Sequence, residues 1–143
     1  MRRVIAIAAL IGALVAFPLR ASASSPTKTW GYYGTTLTAA IIGPGGNYVD
    51  YFKRYAEQNG PTAKILDIRI IGPSPSGGAQ CWDLENGNGA GCGWHLVTLQ
   101  PNILYPLNVG EYRDMPVGQY CMQFDYYGAT YITEYCADVE PYT

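Results

Sequence analysis

The residues able to do covalent or metal chemistry are few. They are Cys81, Cys92, Cys121 and Cys136, one histidine (His95), and a scatter of Asp and Glu. Zinc sites want close ligand spacings such as C-x₂-C, and redox dithiols want C-x-x-C. Neither occurs here. An even cysteine count in an exported chain reads instead as a disulfide framework. Two local hairpins choose the pairing. Asn86-Gly87 is a two-residue turn signal. Folding there makes opposed residue numbers total 173, which pairs Cys81 with Cys92. Gly128-Ala129 suits a second turn, where opposed numbers total 257 and Cys121 meets Cys136. A two-residue loop puts both pairs at hydrogen-bonded sites, with Cα atoms about 5.5 Å apart. A four-residue loop, 127–130, gives the closer site in the same register, so the turn length stays open.

Catalytic sets are weaker. Ser74 and Ser76 could join His95 in acyl transfer, but proline flanks both serines and no G-x-S-x-G elbow surrounds them. The carboxylates Asp83 with Glu85, or Asp125 with Glu134, could hydrolyse a glycoside. Asp83 and Glu85 flank a turn, where polar residues are expected anyway. The run Asp83 to Asn88 fails the calcium-loop pattern, with glycine at position five and Trp94 at position twelve. No cofactor and no metal is expected.

Aromatic side chains are the larger signal. The chain has 13 Tyr, 3 Trp and 3 Phe in 143 residues, and only 14% of it is charged. Tyrosine offers rigid contact area with a polar tip, which suits interfaces and glycan stacking. The expected exposed binding set is Trp30, Tyr32, Tyr33, Tyr105, Tyr112, Tyr126 and Tyr127. The competing reading is that these rings only cover a small core.

The elements that must position these residues begin after an address. Met1-Arg2-Arg3 is followed by an apolar run, Val4 to Phe17, then Pro18 and Ala21-Ser22-Ala23, the tripartite pattern of a secretory signal peptide. A retained anchor is the rival, but fourteen helical residues span about 21 Å, short of a roughly 30 Å hydrocarbon core. The expected organisation is a signal peptide at 1–23 and one secreted β domain at 24–143. Taking 23 from 143 leaves 120 residues with six basic and eleven acidic side chains, a net charge of −5. That balance excludes a cationic nucleic-acid binder. No other segment is apolar enough to cross a membrane as a helix.

Within the domain, 24–28 reads as a loose leader and 35–42 as a β-branched strand. Over 48–58 the pattern favours one short helix: Asn47 caps it, Tyr48, Tyr51, Phe52, Tyr55 and Ala56 share a face, and Asp50–Arg54 and Lys53–Glu57 pair at i,i+4. Strand propensity of Tyr-Val-Asp-Tyr-Phe argues the other way. Ala63 to Ile71 is the clearest strand, with Leu66, Ile68 and Ile70 on one face and Asp67 and Arg69 on the other. Residues 72–78 form a loop, 94–99 extend the first stapled hairpin, and 101–114 are irregular. Pro116-Val117-Gly118-Gln119-Tyr120 opens a long strand. This Pro-x-Gly-x-Tyr opening resembles the start of a late strand in many extracellular β-sandwiches, a likeness of architecture alone. In the terminal hairpin, Tyr120, Met122, Phe124 and Tyr126 share a face with Tyr131, Thr133 and Tyr135, and that face is expected to be core.

The expected fold is therefore mainly β: a small antiparallel β-sandwich stapled by two local hairpin disulfides, with one short helix near 48–58. The expected function is a secreted, non-enzymatic binding module for an extracellular protein or glycan, with inhibition of an extracellular enzyme as a special case. The alternatives are a structural protein of a bacterial cell envelope or spore surface, assembling through strand edges, and a small carboxylate-based hydrolase.

Overall fold

A computed structural model describes residues 25–82, 94–126 and 131–142. These form ten strands: β1 Lys28–Tyr32, β2 Thr35–Ile42, β3 Tyr48–Gln58, β4 Lys64–Pro73, β5 Ala79–Cys81, β6 His95–Leu99, β7 Leu104–Pro106, β8 Val109–Asp114, β9 Gly118–Tyr126 and β10 Thr133–Val139. All strand pairs are antiparallel. One sheet runs β1-β2-β3, with β7 and β8 both on the far edge of β3. The other runs β10-β9-β4, with β5 and β6 both on the far edge of β4. Among the described residues there is no helix.

Period-two burial explains the strands. Leu37, Ala39 and Ile41 of β2, Leu66, Ile68 and Ile70 of β4, and Tyr120, Met122 and Phe124 of β9 are all fully buried. The intervening residues of β4 and β9 are half-buried or exposed. The inner residues of both sheets belong to one cluster. Phe52 of the first sheet meets Tyr120 of the second, with ring centroids 5.4 Å apart. Each large buried apolar side chain contributes about 1.5–3 kcal/mol as an upper value.

The helix expected over 48–58 is strand β3. From Phe52 onward the buried residues are Phe52, Arg54, Ala56 and Gln58, at period two. The supposed helical face is therefore split: Phe52 and Ala56 point inward, while Tyr51 and Tyr55 are half-buried. An eleven-residue helix is marginal alone. As a strand, the segment gains a ladder to β2, from Thr35↔Gln58 to Ile42↔Tyr51, and another to β7 and β8. The expected i,i+4 spacing of Asp50–Arg54 and Lys53–Glu57 belongs to a helix; in the strand these partners lie about 13 Å apart along the chain, and Arg54 is buried.

Four further segments complete or revise the expected layout. Trp30-Gly31-Tyr32 lies in strand β1, laid along β2. Residues 101–114 contain β7 and β8 rather than irregular chain. The segment 95–99 pairs with β4, from Lys64↔Leu99 to Ile68↔His95, and so completes the second sheet. The strand expected at 63–71 extends to Pro73, so the loop begins two residues later than expected.

The terminal hairpin holds the expected register, from Phe124↔Thr133 to Gly118↔Val139. Cys121 and Cys136 face each other and are bonded, with Cα atoms 4.0 Å apart. That is the spacing of a non-hydrogen-bonded pair, the closer of the two sites considered. The Cys81–Cys92 pairing, its Asn86-Gly87 turn, the Gly128-Ala129 turn, Tyr127 and the signal segment lie outside the described residues.

Two local devices set the ends of the domain. Between β1 and β2, Tyr33 and Gly34 both have positive φ, 46° and 74°. These are the central residues of a type I′ turn, whose twist matches the flanking strands. At the opening of β9, the Tyr120 hydroxyl donates to the Pro116 carbonyl at 2.7 Å. Such a bond to backbone four residues back has the form of a tyrosine corner and pins the entry to β9.

Candidate functional site: an aromatic platform

The type I′ turn carries a tyrosine where asparagine or glycine is the usual choice. Holding a bulky residue at positive φ costs about 1 kcal/mol. What the fold obtains there is an aromatic ring at the tip of a hairpin. Tyr33 is 44% exposed. Its ring packs against Tyr131, which is 61% exposed, with centroids 5.4 Å apart.

Beneath this pair lies a second, buried layer. Tyr32 and Tyr126 stack with centroids 5.4 Å apart and planes 6° from parallel. Tyr32 meets Tyr33 and Tyr131 edge-on, at 4.9 and 5.9 Å. Hydrogen bonds fix the layer. The Tyr32 hydroxyl donates to the Tyr131 carbonyl at 2.6 Å and reaches Asp125 Oδ1 at 3.3 Å. The hydroxyls of Tyr126 and Thr35 bond to each other, and Thr35 also donates to Gln58 Oε1 at 3.3 Å. Lys64 Nζ lies 5.1 Å from the centre of the Tyr126 ring and donates to the Tyr33 carbonyl. Trp30 continues the surface: its indole N–H donates to Thr133 Oγ1 at 3.0 Å, and its ring meets Phe124 edge-on at 5.7 Å and Tyr135 at 6.5 Å.

Burial, then the nearby Asp125 carboxylate, pushes the Tyr32 phenol up to about 12. Burial, then Tyr32, raises Tyr126 as well. Both phenols therefore stay protonated and act as neutral donors throughout the physiological range. The carboxylates beside them are less comfortable. Asp67 and Asp125 face each other directly across β4 and β9. Desolvation, then Asp125, raises the Asp67 pKa. A carboxyl raised above its unfolded value stabilises the fold fully below the unfolded pKa, and that contribution is lost as pH rises through the folded one. Asp67→Asn should therefore raise stability at pH 7 by a few tenths of a kcal/mol and leave it unchanged near pH 3. Urea midpoints at the two pH values check this.

Of the seven aromatic residues expected as an exposed set, the structure brings Trp30, Tyr32, Tyr33 and Tyr126 together. The exposure expected of Tyr32 and Tyr126 is corrected: both are buried, because each is the other's stacking partner. Trp30 is half-buried. Tyr105 and Tyr112 sit apart on β7 and β8. Tyr105 is half-buried and its hydroxyl accepts from the Gln100 N–H at 3.2 Å. Tyr112 is exposed, with φ 51°, at a β-bulge opposite Val49 to Tyr51. The bulge turns Glu111 inward, where Arg113 holds it at 2.8 Å. Tyr127 lies outside the described residues. Tyr131, expected on the core face, is instead a principal exposed ring. The hairpin register carried the signal, since numbers totalling 257 place it opposite Tyr126 at the end of the pairing.

The catalytic candidates are dispersed. His95 opposes Ile68, six residues before Ser74, so the two lie about 20 Å apart along β4. Ser74 and Ser76 bond to each other at 2.9 Å in the turn after β4. Asp125 is engaged by Tyr32, and Glu134 accepts from Gln123 Nε2 at 2.8 Å. Asp83 and Glu85 lie outside the described residues. Cys121, Glu134 and Cys136 form a group of metal-ligating residue types among the described residues. Its two sulfurs are joined in the disulfide and supply no thiolate.

No protein-family model, curated protein or solved structure matches this chain.

Proposed function

We propose that this chain is a secreted, non-enzymatic binding module. Residues 1–23 serve as its export signal. The two sheets form a small β-sandwich, stapled by Cys121–Cys136 and by a second bridge between Cys81 and Cys92. Cys121 and Cys136 take each other, which leaves Cys92 as the remaining cysteine for Cys81. The ligand is an extracellular protein or glycan that offers a flat, partly apolar face.

One observation carries the reading: two exposed rings, Tyr33 and Tyr131, rest on a buried stack that is hydrogen-bonded from below. Rings already immobilised lose little entropy on binding, so their contact area converts well into affinity. The cost of Tyr33's backbone at positive φ points the same way, since strain of this kind collects at ligand-contacting sites.

Retention on insoluble polysaccharides, and capture of partners from culture fluid, should each be compared with the variants Tyr33→Ala and Tyr131→Ala. Each variant should weaken retention of the true ligand about tenfold or more, a loss of about 1.4 kcal/mol. Wild-type retention by both variants would sink the proposal. Concentration-dependent light scattering without any ligand would favour the structural-protein alternative.

A companion variant separates the platform from the turn. Tyr33→Asn and Tyr33→Ala lose the same ring, but asparagine tolerates positive φ. Tyr33→Asn should be about 0.5–1 kcal/mol more stable than Tyr33→Ala, with equal loss of binding. Thermal unfolding beside the retention assay measures both.

A further inference from the structure

The inner face of β3 should be apolar throughout, yet it carries Arg54. This side chain has 0% exposure and heads the largest fully buried side chains. Its surroundings show how the chain accommodates it. Arg54 lies beside Leu107, between β7 and β8 on the same edge of β3. The Leu107 N–H donates to the Arg54 carbonyl at 2.8 Å, as a ladder would have it. The return bond is replaced. Arg54 Nε takes the Leu107 carbonyl at 3.0 Å, and the Arg54 backbone N–H turns to Asn108 Oδ1 at 2.9 Å. Two side chains thus stand in for one backbone hydrogen bond, and the Nε bond to Leu107 anchors the guanidinium.

The two terminal nitrogens, Nη1 and Nη2, are buried and have no hydrogen-bond partner among the described residues. A guanidinium stays charged even when burial makes its proton easier to lose. Burial lowers the Arg54 pKa to about 9, with no acidic group acting on it. A buried charge without a counter-charge is among the costliest groups a core can hold. Ala39 lies directly opposite Arg54 on β2, and Phe52 and Ala56 flank Arg54 two residues either way on the same face of β3.

We propose that Nη1 and Nη2 of Arg54 hold a small inorganic anion, chloride or its like, enclosed within the core. The missing exposure decides the class. A carboxylate on a partner or on a larger metabolite has no route to these nitrogens without parting the strands. A compact monovalent anion can be enclosed as the domain folds. The site is independent of the aromatic platform, which is built from other residues.

The test is a thermal melt of the purified protein in sodium chloride, bromide and gluconate at equal ionic strength. Gluconate is too bulky for the site. Chloride and bromide should raise Tm relative to gluconate, by about 10 °C at a hundredfold excess over Kd, and Tm should climb with the logarithm of halide concentration. In Arg54→Met the three salts should give the same Tm. Equal Tm values in all three salts for the wild type, or an undiminished halide effect in Arg54→Met, would overturn the proposal. Should Arg54→Met fail to fold, wild-type crystals grown in bromide decide the matter. An anomalous peak within hydrogen-bond distance of Nη1 and Nη2 supports the site, and ordered water alone at that position refutes it.

Discussion

Tyr120→Ala should destabilise the fold by about 3–5 kcal/mol, with Tyr120→Phe costing about 1 kcal/mol. The ring is fully buried, 5.4 Å from Phe52 of the other sheet and 6.1 Å from Trp82 by centroid. It also lies over Gly72, the position directly across from it on β4. A Cβ at Gly72 would sit 2.2 Å from Tyr120 Cδ1. The glycine therefore exists for the ring, and the ring covers backbone that glycine leaves bare. Burial, and then the Glu111 carboxylate, raises the phenol's pKa, so the hydroxyl remains a donor to Pro116. Gly72→Ala alone should cost about 1–3 kcal/mol by overpacking. The double variant Gly72→Ala/Tyr120→Ala should cost less than the two combined, because the clash disappears with the ring. Urea denaturation of the four proteins measures the coupling, and strict additivity would show that ring and glycine do not depend on each other.

The second large effect concerns the disulfide. Removing the bridge between Cys121 and Cys136, by Cys121→Ala/Cys136→Ala, should cost about 3 kcal/mol, the chain-entropy value for a loop near the observed 15-residue separation. The loss should also be local. In its sheet β10 pairs with β9 alone, so it stands at an edge. Amide exchange should accelerate first in β10 and spread next to the platform, since Tyr131 lies two residues before β10, and Trp30 is tied to it through Thr133. Binding should weaken in step. Exchange that rises evenly over both sheets would contradict this order of loosening.

Much of the second sheet was legible from residue types. The β4 alternation of Leu66, Ile68 and Ile70 with Asp67 and Arg69 has one period and one reading. The β9–β10 register followed from a turn and a cysteine pair that agreed. The first sheet was harder. In β3, tyrosines at 48, 51 and 55 satisfy a helical face and a strand equally, and Arg54 at an inner position hides the period-two pattern that would have separated them. β1, β7 and β8 are short or carry Gly31, Pro106 and Gly110, so their strand character comes from pairing with β2 and β3 rather than from their own composition. The platform was half legible. Abundant tyrosine signalled that rings would surface, but which ones depends on contacts between strands distant in sequence. Tyr32 and Tyr126 are 94 positions apart, and only their stacking made them support rather than surface. The unpartnered guanidinium had no signal at all, because its burial is a property of the fold around it.

The shared edge of β4 has a consequence for how this protein can change. β5 leaves that edge with Cys81 opposite Ile71, and β6 rejoins it with His95 opposite Ile68. The departure and return points are three residues apart on one strand, about 10 Å. The edge is held on both sides of the gap, so closing the chain across it costs little, and doubling the intervening length would add only about 0.6 kcal/mol. With Cys92 kept for its proposed bridge to Cys81, a change in the length of chain between the two points should leave the pairing of β4 with β5 and β6 intact.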